Sequence, residues 1–398
     1  MTHRPLQGTR VLDLSQAISG PFVGRALADL GADVVKVEWP NGDVTNRFGP
    51  ARAGLTGLFT HMNAGKRGIG VDRDAPGGRE LIRRLAATAD VVVENFRPGV
   101  LDRADLGYPA LSARNPRLVM VSISGFGRTS PESQRRAYAP VIHAEAGLLA
   151  RQARVDDRPV TDLTLALADE IAALHATVAV LAALTMRSRT GTGQHIDLSM
   201  LEAMLATDDH TSEAIDRSTD TADSRGYVWD AVGGPLLISV DHKTLWHRLA
   251  RHAALVDTSA PGSPLAVKLA NRRLVMAAWI ASFPTRPELV RALEAANLAW
   301  ADVRDATNLF ESPSLRDGRS VAQVDDHAGA RRGVIRMPYR FSDATVEVQG
   351  PAPRRGEHNR VVLADWLGAS TEEIDALVAD GTLQAATPTG DGTTSGRP

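Results

Sequence analysis

The residue in this sequence best suited to covalent chemistry is an aspartate inside an apolar helical stretch. Asp169 stands beside Glu170 within residues 163–184, a segment otherwise rich in aliphatic side chains. A charge in such a segment costs free energy unless it is paired or lies near a helix end. Two interpretations stay open. Asp169 faces a polar crevice at the N-terminal half of the helix, or it is a carboxylate nucleophile made reactive by a dry pocket.

Two clusters of basic and polar residues are candidates for binding an anion. One covers residues 63–67 (NAGKR) and the other residues 95–103 (NFRPGVLDR). Both border the ends of predicted strands, where the ligand crevices of open α/β sheets lie. Surface loops are also commonly basic without any ligand, so neither cluster is sufficient by itself.

Several other kinds of site are excluded or disfavoured. The sequence has no cysteine, which excludes disulfides, thiolate nucleophiles and Cys-ligated metals. His242, His247 and His252 are spaced by five, which puts successive side chains on different helix faces, so we predict no metal site. The motifs G-x-G-x-x-G, G-x-x-x-x-G-K-[ST] and G-x-S-x-G are missing, which disfavours nicotinamide-dependent, nucleotide-hydrolysing and serine-hydrolase functions.

The overall composition is that of a soluble globular protein. Of 398 residues, 43% are hydrophobic and 23% charged, and the formal net charge is −2. Such a chain has no global field for a polyanion, so we expect neither nucleic acid nor a membrane surface as a partner. The first residues lack the apolar run of a signal peptide, and we expect a cytoplasmic location.

Strand and helix signals alternate through the first half of the chain. Short apolar runs at residues 10–14, 33–38, 90–94 and 118–122 are separated by helical patterns. This alternation predicts a parallel sheet with helices on both faces, a Rossmann-like α/β fold. Residues 163–188 form the longest helical pattern, apolar nearly all round, which predicts a central and buried helix.

Changes in amino-acid composition along the sequence divide the chain into segments. Residues 211–225 are polar and indicate an exposed connector, and the last residues lack apolar content. We predict a large domain formed by residues 1–205 and 331–384, a linker at 206–225, a small domain at 226–330 and a disordered tail at 385–398.

Six segments of the sequence carry motifs that are specific in combination. They are residues 8–43, 63–72, 89–108, 115–127, 179–204 and 338–368, and they include ENFRPG, TGxGQ and GPAPxxGEHN. In order and spacing the sequence resembles the class III, or CaiB/BaiF-type, CoA-transferases, whose relatives include formyl-CoA transferases and α-methylacyl-CoA racemases. The resemblance implies a Rossmann-like large domain built from both chain ends, an inserted smaller α/β domain and an interlocked homodimer.

The resemblance also implies a chemical role for Asp169. Transferases of this family carry an Asp 18 residues before an Arg that matches Arg187, and counting back from Arg187 gives Asp169. The resemblance implies that this carboxylate attacks a donor thioester and then forms an aspartyl-CoA intermediate. The implied substrates are an acyl-CoA and a small carboxylic acid, with coenzyme A as substrate and no tightly bound cofactor.

Positions that match the family's CoA contacts extend over the first 140 residues. The resemblance places the loop after the first strand near the thioester, a second group around the adenine and ribose, and basic residues near the phosphates. In that order the matching residues are Ala17, Ile18 and Ser19; Val71, Asn95 and Phe96; and Arg103 and Arg136. Tyr138 joins this set at the position where racemases carry a catalytic His.

Two alternative functions stay open. One is a racemase or isomerase acting at the α-carbon of an acyl-CoA, but a phenol such as Tyr138 is a poor base at neutral pH, and His143 lies five residues away. The other is a CoA-binding relative without turnover. It is kept because Trp39 and Asp74 replace basic residues of the family and Ala168 replaces the usual Gly before the Asp.

Overall fold

The chain divides into two units in the computed structural model, which describes residues 3–216 and 227–384. The larger unit combines both chain ends, Met1–Thr211 and Gly318–Pro398, and the smaller unit is Ser212–Asp317. Each unit has its own hydrophobic core. The tail predicted at 385–398 and much of the predicted linker lie outside the described residues.

The first segment of the larger unit alternates strands and helices as expected. In chain order its elements are β1 (Arg10–Asp13), α1 (Ser19–Asp29), β2 (Asp33–Glu38), β3 (Ala51–Arg52), β4 (Leu55–Thr56), α2 (Gly57–Asn63), β5 (Arg67–Gly70), α3 (Gly78–Thr88), β6 (Val91–Glu94), α4 (Val100–Arg103), α5 (Tyr108–Arg114), β7 (Val119–Ser124), α6 (Ala139–Glu145), α7 (Leu148–Asp156), α8 (Leu167–Thr190), β8 (His195–Ser199) and α9 (Met200–Thr207). A 3₁₀ turn at Val44–Arg47 follows β2.

Six of these strands form one parallel sheet in the order β5-β2-β1-β6-β7-β8. The chain first builds outward from β1 to β5 and then returns to the other side of β1 to build β6, β7 and β8. The direction of winding therefore reverses between β1 and β6. This arrangement confirms the predicted parallel sheet.

Both faces of the sheet are covered, because successive residues of a strand point to opposite sides. In β1, Val11 packs in a core layer with Val23 of α1 and Ala172 of α8. The next residue, Leu12, packs in the opposite layer with Leu81 of α3. Each fully buried aliphatic side chain of this kind contributes about 1.5–3 kcal/mol to folding.

Helix α8 is the longest helix described, but it differs from its prediction in two ways. It begins at Leu167 rather than at residue 163, so Asp169 lies in its first turn. One face, rich in small residues such as Ala172 and Ala176, is buried, whereas Leu174 and Val178 on another face are 46% and 66% exposed. The prediction of a fully buried helix is therefore wrong for the isolated chain.

The smaller unit combines a three-stranded sheet with helices. Its strands are β9 (Tyr227–Trp229), β10 (Leu236–Ile238) and β11 (Trp300–Asp302), which pair antiparallel in the order β11-β10-β9. Its helices are α11 (His242–Ala253), α12 (Leu265–Ala281) and α13 (Arg286–Ala295), with a 3₁₀ turn at Ala306–Glu311. A short helix α10 (Thr211–Ile215) lies at its boundary.

The chain returns to the larger unit earlier than we predicted. Its last elements are β12 (Val321–Asp325), β13 (Arg331–Ile335), α14 (Asn359–Leu367) and α15 (Thr371–Ala379). A boundary at residue 330 would separate β12 from β13, which pair antiparallel over five residues each. Val324 and Val334 also share a small core with Ala64, so the larger unit resumes at Gly318.

Candidate active site

A cavity of about 450 Å³ opens at the carboxyl ends of β1, β6 and β7. Its wall includes Gln16, Ala17 and Ser19 after β1, residues 95–98 after β6, the end of β7, and residues 133 and 135–138. Open α/β sheets bind ligands where the strand order reverses, at the carboxyl ends of the strands. The strand order therefore accounts for the location of this cavity.

Asp169 reaches this cavity from the first turn of α8. Its carboxylate is largely buried and accepts hydrogen bonds from the hydroxyl and backbone N–H groups of Ser19 and from the backbone N–H of Ala139. Burial raises the pKa of Asp169, and these hydrogen bonds oppose the rise. Ser19 and Ala139 are the first residues of α1 and α6, so their N–H groups have no acceptor within their own helices.

Asn95 connects the turn after β6 to the same carboxylate. Its Nδ2 donates to the Gln16 carbonyl at 2.6 Å and to Ser19 Oγ at 3.2 Å, while its Oδ1 accepts from the Gln16 N–H at 2.9 Å. Because Ser19 Oγ accepts from Asn95, its own proton is free to point towards Asp169. Asn95 thereby fixes both the loop after β1 and the direction of the Ser19 hydroxyl.

The loop between β1 and α1 is held by an unusual backbone conformation and by buried charge. Ala17 has a positive φ of 63°, and a Cβ added to Gly20 would lie only 2.2 Å from the Ser15 Cβ. Lys36 Nζ donates to the Ser15 carbonyl at 3.0 Å from beneath the loop. The loop therefore has one well-defined path past the cavity.

Lys66 corrects one interpretation from the sequence. Its ammonium group is fully buried and donates to Asp13 Oδ2 at 2.7 Å, to Asn63 Oδ1 at 2.8 Å and to the Pro21 carbonyl at 2.8 Å. Burial lowers the pKa of Lys66 to about 8. The cluster at 63–67 thus ties α1 to the sheet, and its lysine is not available to an anionic ligand.

The structure brings together most of the residues that the resemblance implied as CoA contacts. Those that line the cavity with Asp169 are Ala17, Ser19, Asn95, Phe96, Arg136 and Tyr138. Ile18 lies between two wall residues as the N-cap of α1 and is not itself part of the wall. Val71 is fully buried in the core, and Arg103 is exposed at the end of α4, outside the wall.

A second cavity of about 330 Å³ adjoins the first, since Gln16 and Phe96 line both. Trp39 forms part of its wall, and the Arg73 guanidinium lies 5.4 Å from the centre of the Trp39 ring. The buried indole N–H of Trp39 has no hydrogen-bond partner in the part of the chain that the structure describes. Sequence reasoning missed Arg73, although it noted the replacement of a basic residue by Asp74 next to it.

His143 has a place that the sequence did not reveal. It is fully buried in α6, its Nδ1 lies 3.0 Å from Asp162 Oδ1, and its Nε2 accepts from the Ala168 backbone N–H at 3.1 Å. It does not line the cavity, whereas Tyr138, 69% exposed, does. The only signal in the sequence was a histidine within an otherwise apolar helical turn.

Glu94 supports the turn that contains Asn95 and Phe96. Its carboxyl group is buried, accepts the Phe96 N–H at 2.8 Å and is hydrogen-bonded to the Ser122 hydroxyl. Burial raises the pKa of Glu94 to about 7. A carboxyl group at the end of β6 thus fixes the backbone that enters the cavity.

Residues 3–216 and 227–384 contain no group of three or more His, Asp or Glu side chains placed to hold a metal ion. The three histidines at 242, 247 and 252 lie on α11 of the smaller unit. By length and composition α8 would pass as a membrane-spanning helix, a test that core helices of soluble proteins also pass.

Comparison with known proteins defines the class of this chain. The model of CoA-transferase family III matches residues 6–359, and the chain therefore belongs to that family. The match covers the loop after β1, the turn after β6 and the beginning of α8. The prediction that the chain is a class III CoA-transferase is confirmed at this level.

Similar proteins include several that are named for particular acids. The succinyl-CoA–L-malate CoA-transferase beta subunit of Chloroflexus aurantiacus is 30% identical over 94% of this chain and 97% of its own length. The succinate–glutarate CoA-transferase of Agrobacterium fabrum is 29% identical over 91% and 95%. Among solved structures, a CAIB/BAIF family protein from Brucella suis superposes with a TM-score of 0.77 at 29% identity, covering 92% of this chain and all of that one.

Proposed function

We propose that this protein transfers CoA from an acyl-CoA to a carboxylic acid through an aspartyl-CoA thioester on Asp169. The Asp169 carboxylate attacks the donor thioester carbonyl, giving a mixed anhydride and CoA thiolate. The thiolate attacks the aspartyl carbonyl, which releases the donor acid and leaves aspartyl-CoA. The acceptor carboxylate then displaces the thiolate to form a second mixed anhydride, and the thiolate takes the acceptor acyl group and frees Asp169.

The observation that carries this proposal is the setting of the Asp169 carboxylate. It is largely buried at the wall of a cavity, yet it accepts hydrogen bonds from Ser19 and Ala139. When its carbonyl carbon is attacked, negative charge develops on an oxygen of the same carboxyl group. N–H groups already directed at that oxygen stabilise the tetrahedral species without having to reorganise.

The two adjoining cavities suit a long substrate. A CoA thioester whose reactive end lies at Asp169 has a second cavity available past Gln16 and Phe96. There, Trp39 offers an aromatic surface and Arg73 a cation, which supports placing the nucleotide end at this point. Arg73 would take over from the basic residues that the family carries where Trp39 and Asp74 stand here.

We propose a dicarboxylic acid as the acceptor. Arg97 and Arg136 line the cavity that contains Asp169, and neither has an ion pair within the described residues. A free guanidinium binds a carboxylate well, so a second carboxylate on the acceptor, or a CoA phosphate, fits this charge. The relatives named for malate and glutarate support the first choice.

Trapping of the intermediate tests the proposal. The protein is incubated with succinyl-CoA, and intact-mass and peptide analysis look for a CoA adduct on Asp169 that hydroxylamine removes. The D169N variant should form no adduct, whereas E170Q, which changes the neighbouring half-buried acid, should form it. CoA binding without any adduct in the wild type would favour the non-catalytic alternative and refute the proposal.

The racemase alternative is tested in the same samples. Exchange of the α-hydrogen of a 2-methylacyl-CoA with heavy water, without an acceptor acid, would favour it over transfer. We expect no exchange, because Tyr138 is a poor base and both nitrogens of His143 are already engaged.

We propose that the protein acts in the cytoplasm as an interlocked homodimer. Support comes from α8, whose Leu174 and Val178 are exposed in the single chain. Light scattering on the wild type should give twice the chain mass of 42.5 kDa. Replacing Val178 with glutamate should weaken assembly if a second chain covers this face, and an unchanged dimer would place the interface elsewhere.

A further inference from the structure

We propose that His143 is a positioning residue that caps the first turn of α8 from outside the helix and so fixes the direction of the Asp169 carboxylate. The inference rests on the proposed function of Asp169. His143 does not touch the cavity, and its effect acts through Ala168, the residue before Asp169.

Helix α8 lacks a cap of its own. Its N-cap residue is Ala166, which has no side-chain acceptor for the first N–H groups of the helix. Ala168 is fully buried, so its N–H cannot be satisfied by solvent. His143 Nε2 accepts that N–H at 3.1 Å and supplies the acceptor that a Ser or Asp at the N-cap would normally provide.

Asp162 sets the imidazole tautomer that this contact requires. A neutral imidazole has one N–H and one acceptor nitrogen. His143 Nδ1 lies 3.0 Å from Asp162 Oδ1, so the proton belongs on Nδ1, and Nε2 is left as an acceptor. A ring protonated on both nitrogens would direct an N–H at the Ala168 N–H and lose the cap.

Helix α6 therefore contacts the first turn of α8 at two adjacent residues. Its first residue, Ala139, donates its N–H to the Asp169 carboxylate, and His143, one turn later, accepts from Ala168. The two contacts hold both the backbone and the side chain of the nucleophile. A misplacement of about 1 Å in such a group can slow a reaction by about 100-fold.

The test compares H143L with H143Q by single-turnover formation of the adduct on Asp169. Leucine removes the acceptor, and we expect adduct formation to slow by about 100-fold with the KM for the acyl-CoA changed by less than about threefold. Glutamine keeps an acceptor oxygen, so H143Q should stay within about fivefold of the wild type. The matched control is H358L, which also removes an imidazole acceptor of a backbone N–H, that of Gly68 at 3.1 Å, away from the cavity.

Several outcomes would overturn the inference. They are an H143L rate equal to the wild type, a slowing no greater than that of H358L, or an H143Q variant as slow as H143L. If H143L does not fold, variants of Asp162, the exposed partner of His143, test the inference in its place. D162N keeps an acceptor for the His143 Nδ1–H, so its rate of adduct formation should be near that of the wild type. D162L lacks this acceptor and should slow adduct formation by about tenfold. If the wild type forms no adduct at all, the proposed function fails; if it does and H143L is unaffected, only the positioning role fails.

Discussion

Replacing Ser19 with alanine tests how the hydrogen bonds to the nucleophile set its reactivity. The S19A substitution removes the hydroxyl donor to Asp169 and leaves the backbone N–H groups of Ser19 and Ala139 in place. Asn95 loses one acceptor at 3.2 Å but keeps the Gln16 carbonyl at 2.6 Å. The change therefore removes a single hydrogen bond of the charged carboxylate, together with the longer of the two that Asn95 Nδ2 donates.

The size of the effect follows from that single bond. A hydrogen bond to a charged group contributes about 1.5–3 kcal/mol, which corresponds to about 1–2 pKa units. Ser19 lowers the pKa of Asp169, so S19A should raise it. If the hydroxyl also stabilises the tetrahedral species at the aspartyl carbon, adduct formation at the pH optimum should slow by about 10- to 100-fold.

The assay is the rate of formation of the CoA adduct between pH 4 and 8. Attack requires the ionised carboxylate, so the rate falls on the acid side as Asp169 is protonated. In S19A this acid limb should move to higher pH, because the hydroxyl no longer stabilises the ionised carboxylate. The control S370A removes a hydroxyl that caps α15 by accepting the Glu373 N–H at 3.2 Å, outside the cavity, and should keep the wild-type limb.

Two results would refute the reasoning about Ser19. One is an acid limb that does not move, which would mean that the hydroxyl does not contact the ionised carboxylate. The other is a slower reaction in S370A equal to that in S19A, which would mean that lost stability and not lost contact explains the effect. Thermal midpoints of both variants separate these cases.

Three further substitutions test the buried charges of the larger unit. Because burial raises the pKa of Asp169, the stability that its protonated form contributes is present below the unfolded pKa near 4 and is lost as pH rises. D169N should therefore have a higher thermal midpoint than the wild type at pH 7 and an equal midpoint near pH 3. A lower midpoint of D169N at pH 7 would contradict this. K66M leaves Asp13 buried without its cation and should lower the free energy of urea unfolding by about 3–5 kcal/mol, whereas a change below about 1 kcal/mol would argue against the buried pair. The pKa of Glu94 rises from 4.5 to about 7 on folding, so the wild type should lose up to about 3 kcal/mol of stability between pH 4.5 and 7. E94Q has no carboxyl group at this position, so its stability should not show this loss over the same pH range.

The parallel sheet was predictable because its strands are short apolar runs separated by helical patterns. Runs such as residues 33–38 and 90–94 became β2 and β6 within one residue of their predicted bounds. A strand buried on both faces must be apolar throughout, and few other structures demand that pattern. The order β5-β2-β1-β6-β7-β8, whose reversal at β1 places the cavity, was not predicted from these runs.

The boundaries of the smaller unit were harder to predict, since they depend on pairing. Residues 321–325 have the same strand character whether they pair with β10 or with β13. In the structure β12 pairs with β13, which assigns it to the larger unit. Local sequence contains no information about which distant strand becomes the partner.

The residues that hold the site in place could not be recognised from the sequence for the same reason. Lys66 looked like part of a basic anion-binding loop, but its partner Asp13 lies 53 residues earlier in the chain. From the sequence, His143 was only a histidine five residues from the position of the racemase base, whereas its contacts with Asp162 and Ala168 are 19 and 25 residues away. Such roles depend on how α1, α6 and α8 pack, and the spacing of residues within one segment does not predict that packing.

The two interpretations of Asp169 that the sequence left open describe one arrangement. A carboxylate in a fully apolar pocket would be protonated and unreactive, and one in bulk water would be weakly nucleophilic. At the start of α8 the side chain is shielded from solvent, yet the N–H groups of Ser19 and Ala139 keep its ionised form accessible. A polar crevice is thus what a buried carboxylate nucleophile needs, and the first turn of a helix that meets the starts of two others can supply it.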